Sequence, residues 1–152
     1  MSNFSGHYKG GLISATALTA AVFVGNQHFH WNLEIIAYPC IWCNALFFSL
    51  FPDVDIKSTP SKMFYRAVFI VLCILYFLKK FESASLVAIL SITPQMTKHR
   101  GFFHHKLTAL TLPGYSFLLY SQHYIGLQFA IFLYIAGVIG YYTHLFLDGD
   151  LI

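Results

Sequence analysis

The stretch "IGLQFAIFLYIAGVIGYYTHLFLDGD", Ile125 to Asp150, decides the fold. Between Ile125 and Phe146 it carries no charged residue until a histidine appears near its end. As a helix this length rises roughly 33 Å, enough to cross a hydrocarbon core of about 30 Å. Its polar end is as informative as its apolar body. His144 and Asp148 are four apart, so on a helix they project from one face about one turn from each other. That spacing suits chelation of one metal ion, and equally suits a helix-end histidine with a capping acid just beyond it.

Working outward, the whole chain shares this character. Its 152 residues are 57% hydrophobic and 18% aromatic but only 10% charged, whereas soluble domains average about a quarter charged. Six acids and nine bases cannot cover the surface of a soluble domain. The expected architecture is all-α: a single domain over residues 1–152, a polytopic membrane bundle of about six hydrophobic helices. Five further apolar segments precede the last, near 10–24, 35–51, 63–78, 83–93 and 107–121. The third and fourth are short and read either as spans or as a re-entrant hairpin packed inside the bundle. No basic region leads the first segment, so the N-terminus is expected to stay attached. Cys40, Cys43 and Cys73 lie in apolar runs and are expected to pack as free thiols rather than form disulfides.

Counting crossings places the polar clusters. With His7 ahead of the first span, "FPDVDIKSTPSK", "TKHRGFFHHK" and "THLFLDGD" all return to the same side, whether the third and fourth segments cross twice or not at all. Lys9, Lys57, Lys62, Arg66, Lys98, Arg100 and Lys106 share that side, against Lys79 and Lys80 on the other. Positive charge gathers on the cytoplasmic face, so the expected setting is an inner, cytoplasmic membrane with the clusters and both termini inside.

Each cluster has a chemical and a structural reading. Asp53 and Asp55 follow Pro52 as D-x-D, a spacing that oxygen-liking divalent ions favour and that polar turns also use. His99 and His104 bracket Gly101, which lets the backbone turn so that both imidazoles can face one point. Arg100 between them can clamp a phosphate through its planar fork, or the segment can be a basic loop at lipid headgroups. His7 precedes a run of small residues that permits close helix packing. His28, His30 and His123 fall on the other side and read as interface residues. Ionisable groups at membrane depth are costly enough to suggest function, and together these offer imidazoles and carboxylates for zinc, manganese or iron.

The pattern resembles the YdjM-like family of membrane-embedded metal-dependent hydrolases. The residues that carry the resemblance are His7 ahead of "GGLISA", "PDVD" at Pro52 to Asp55, "HRGFFHH" at His99 to His105, and "HLFLD" at His144 to Asp148. Ile56, Phe103 and His105 stand where that family usually has histidine, threonine and serine. The family is remotely similar to zinc-dependent phospholipase C, which implies phosphoester substrates.

The resulting expectation is an integral membrane metal-dependent hydrolase acting on a lipid or amphipathic phosphoester. One or two divalent ions, zinc first and manganese or iron as alternatives, would be held by His7, Asp53, His99, His104, His144 and Asp148. Asp55 would accept a proton and Arg100 would hold a phosphate oxygen. Membrane lipid is the expected partner, with a homo-oligomer open. No phosphate-tracking basic stripe points to nucleic acid, and no G-x-S-x-G elbow, Walker loop or dinucleotide turn is present. The alternatives are a non-enzymatic membrane protein whose ions staple helix ends, and a divalent-metal transporter, which would need ligands near the bilayer midplane.

Overall fold

A computed structural model describes residues 4–55, 59–96, 102–123 and 126–149. The described residues form six α-helices and no strand: α1 (Phe4–Phe29), α2 (Ala37–Leu50), α3 (Thr59–Phe77), α4 (Phe81–Ile92), α5 (Thr108–His123) and α6 (Leu127–Asp148). The all-helical class and the helix number agree with the sequence expectation. Three helices, α1, α3 and α6, are long and apolar enough to cross a membrane. α2, α4 and α5 have 14, 12 and 16 residues, which rise only about 18–24 Å. The third segment is longer than its apolar run suggested. α3 begins four residues earlier, at Thr59, with Pro60 in its first turn, where a proline's missing N–H has no intrahelical partner to lose.

The chain divides into two compact units, Met1–Pro52 with His104–Ile152, and Asp53–Phe103. In the first, α2 packs most extensively on α6 and next on α1, while α5 and α1 also lie against α6. Small residues set these distances. A Cβ on Gly140 of α6 would fall on the backbone carbonyl of Ala45 in α2, and one on Gly11 of α1 would fall on the Ser49 hydroxyl. Between apolar helices in lipid there is little hydrophobic drive, so close backbone approach and interhelical hydrogen bonds supply the attraction. Asn44 of α2 adds one such bond, its Nδ2 donating to the Leu133 carbonyl of α6 at 2.7 Å. Ala15, Ile41, Ala45 and Ala136 are fully buried where α1, α2 and α6 meet.

At one end of this unit the α1–α2 connection is tied down by Asn26. Its Oδ1 accepts from the Leu33 N–H at 3.3 Å and its Nδ2 donates to the Tyr38 hydroxyl at 2.9 Å. At the other end α6 stops at Gly149, which takes the left-handed conformation (φ 79°) and donates its N–H to the Leu145 and Phe146 carbonyls. Glycine is the residue that adopts this cap without Cβ strain, and it leaves Asp148 as the last residue of α6.

The second unit is built on the α3–α4 pair. Lys79 turns the chain with φ 57°, and the Lys80 N–H reaches back to the Leu75 carbonyl at 2.9 Å, closing α3 as a Schellman-type end. α4 then returns along α3, and the Tyr65 hydroxyl donates to the Ser91 carbonyl at 3.1 Å.

Candidate metal centre

His144 is fully buried on the last turns of α6. Its Nδ1 lies 2.9 Å from the Ser49 carbonyl near the end of α2. A carbonyl only accepts, so Nδ1 carries the proton and the Nε2 lone pair is the one offered outward. Pro52, three residues past Ser49, has no N–H with which to return a 3-10 bond to that carbonyl. A backbone carbonyl holding the distal nitrogen is the usual way in which a metal-binding histidine is oriented.

His144 Nε2 faces Asp148 Oδ2 at 3.4 Å, and His104 Nε2 faces the same oxygen at 3.6 Å. The other carboxylate oxygen, Oδ1, lies 3.3 Å from His7 Nε2. Three imidazoles therefore surround one carboxylate, two on one oxygen and one on the other. The His7 and His144 rings stack with centroids 4.1 Å apart at 17°, and the His104 ring stands at 69° to that of His144.

Local structure explains each placement. His7 sits early in α1, where Gly10 lies over Leu147 and Gly11 over Ser49, so the helix comes close enough for its imidazole to reach the end of α6. His104 ends the short 3-10 turn Phe102–His104 that leads toward α5. Asp53 stands in the 3-10 turn Phe51–Asp55 that continues α2, one residue past Pro52.

Asp53, His104, His144 and Asp148 each offer one ligand atom, and these atoms all lie within 4.8 Å of one another. The set could hold a divalent ion, and two of its separations come near those of a tetrahedral site. Ligand atoms at 2.0–2.1 Å from zinc are separated from one another by about 3.3 Å, against 3.4 and 3.6 Å between Asp148 and its two histidines. Two imidazoles and two carboxylates are ligands that zinc, manganese and iron accept. His7 lies outside that group of four, its Nε2 facing the second Asp148 oxygen.

Four sequence-predicted ligands are thus brought together, with His7 against Asp148. His99 and Arg100 lie outside the described residues, as does the side chain of Asp55. His105 is exposed and its Nδ1 accepts from the Leu107 N–H at 3.3 Å, so it stands apart from the group. His28 and His30 are exposed at the far end of α1. The Ser49 carbonyl is the participant that residue types did not reveal, since a backbone acceptor has no letter of its own. The signal was Pro52, whose missing N–H leaves that carbonyl without a 3-10 partner.

Comparison of the chain with protein-family models, with curated proteins and with solved structures finds no match.

Proposed function

We propose that the protein is an integral membrane metal-dependent hydrolase of the YdjM-like kind, acting on a phosphoester of a lipid or amphipathic molecule at the cytoplasmic surface. The observation that carries this reading is the convergence of Asp53, His104, His144 and Asp148 within 4.8 Å at the end of a helix long and apolar enough to span. A divalent ion, zinc first, would acidify water toward neutral pH and offset charge developing at phosphorus. Asp148 contributes one oxygen to the group and turns the other to His7. The Ser49 carbonyl keeps His144 in the tautomer that ligates. From the sequence, Asp55 is assigned proton acceptance and Arg100 a non-bridging phosphate oxygen.

Burial favours a second reading. His144 is fully buried and the Asp148 side chain is 6% exposed, so the ion can instead be a staple joining the turn after α2, the segment before α5 and the end of α6, with no substrate reaching it. Metal analysis and turnover separate the two. Purified protein should hold at least one divalent ion per chain and hydrolyse bis-p-nitrophenyl phosphate or a phospholipid. Arg100→Ala should abolish turnover while leaving the ion and the fold in place. A protein that keeps its ion, unfolds when it is chelated and turns over no phosphoester is the staple. A folded protein with no affinity for any divalent ion defeats both readings.

A further inference from the structure

The first two turns of α3 carry Lys62 and Arg66, four residues apart and both exposed. Residues at this spacing lie on one helix face, about 6 Å apart at Cβ. With Tyr65, Phe69 and Ile70 they form one open face of α3. The order along the helix matters. The two cations come first, and the apolar residues follow on the same face, with Phe69 67% and Ile70 58% exposed. Neither cation forms an ion pair among the described residues. Acids are scarce throughout, six in the entire chain. Glu82, the acid in the first turn of α4, stands at the far end of α3 from Lys62.

The geometry points to a binding site for an anionic phospholipid on α3, with the headgroup phosphate between Lys62 and Arg66 and an acyl chain along Phe69 and Ile70. Two facts choose this occupant. Only 6% of the most apolar window of α3 is buried, so the helix presents its apolar face outward, where a bilayer supplies hydrocarbon. The two exposed cations at its head supply the complement of a phosphate. The face runs from the two charges directly into the apolar side chains of Phe69 and Ile70. The proposal rests on the membrane-spanning reading of α3 and is independent of the metal centre.

The test uses the full-length protein in a neutral detergent, titrated with dioleoyl phosphatidylglycerol, with phosphatidylcholine of the same chains, and with inorganic phosphate, and read by native mass spectrometry. Each cation near a lipid surface contributes about fivefold in affinity. The expected result is about thirtyfold preference for phosphatidylglycerol, abolished by Lys62→Gln with Arg66→Gln and lowered about fivefold by either alone. Phe69→Ala should weaken both lipids alike. Should the double variant fail to fold, the single variants carry the same comparison, with helical circular dichroism as the folding control. Equal binding of the two lipids, or unchanged binding in the variants, overturns the site. Displacement by equimolar inorganic phosphate would make it a phosphate site and overturn the lipid assignment, and displacement by an acidic peptide would do so in favour of a protein partner. Protease accessibility of the α3–α4 hairpin in liposomes checks the spanning reading separately. Cleavage within α3 itself would refute that reading whatever the lipid result.

Discussion

α6 and α3 are both long, both rich in apolar residues and both competent by length to cross a membrane, yet they are used in opposite ways. In α6, 44% of the most apolar window is buried, in α3 only 6%. Hydropathy does not separate them; side-chain size does. The buried face of α6 runs Ala130, Leu133, Ala136, Gly137, Gly140, Tyr141, His144 and Leu145, half of them alanine or glycine, and α2 approaches until its Ala45 carbonyl occupies the place of a Cβ on Gly140. α3 presents Phe69, Ile70, Ile74 and Tyr76 outward and touches α4 along one side. A helix that lets a neighbour's backbone in can hold a polar cluster away from lipid. A helix clothed in large side chains meets its surroundings instead.

The largest expected effect breaks the close approach on α6. Gly140→Val should destabilise the protein by about 3 kcal/mol or more, since the added atoms meet backbone rather than a movable side chain; loss of the folded, monodisperse species in detergent is the measurement. Next, Asp148→Asn removes the carboxylate that three imidazoles share and should lower divalent-metal affinity at least about 100-fold, roughly 2.7 kcal/mol. An isothermal titration showing wild-type affinity would remove the centre. Pro52→Ala offers the Ser49 carbonyl a competing N–H and should cost about tenfold in metal affinity through the orientation of His144, with the helical content unchanged. On α3, Tyr65→Phe deletes the hydrogen bond to Ser91 and should cost about 1 kcal/mol by chemical denaturation. Smallest of all, Ile74→Ala lies on the outward face and should stay within about 0.5 kcal/mol. A cost above 2 kcal/mol there would show that the face is covered and that the contrast with α6 is wrong.

Much of the candidate centre was legible because its ligands announce themselves by type and spacing. His144 and Asp148 stand one turn apart in any helix, and Asp53 and His104 adjoin apolar segments where a polar residue is conspicuous. His7 was legible as a candidate only in company, since one histidine before a helix signals little. What stayed hidden was directional. No spacing rule tells that His7 approaches Oδ1 of Asp148 while His104 and His144 approach Oδ2, or that Ser49 supplies the acceptor behind His144. Two helices run past their apolar segments: α1 covers Phe4–Phe29 where 10–24 was expected, and α3 begins at Thr59 rather than at 63. The polar start of α3, Thr59 to Lys62, reads as a loop by hydropathy, but a proline in the first turn and exposed charges are compatible with a helix whose end leaves the apolar layer.

The amino-acid sequence by itself determined that this chain is helical and apolar and where its polar residues cluster. Those are local consequences of composition, periodicity and backbone stereochemistry. Only the tertiary structure decided which helices are enclosed, which imidazole meets which oxygen, and that α1 can reach the end of α6 at all. Those follow from how closely backbones approach where side chains are absent, a property of pairs of helices that no single segment carries.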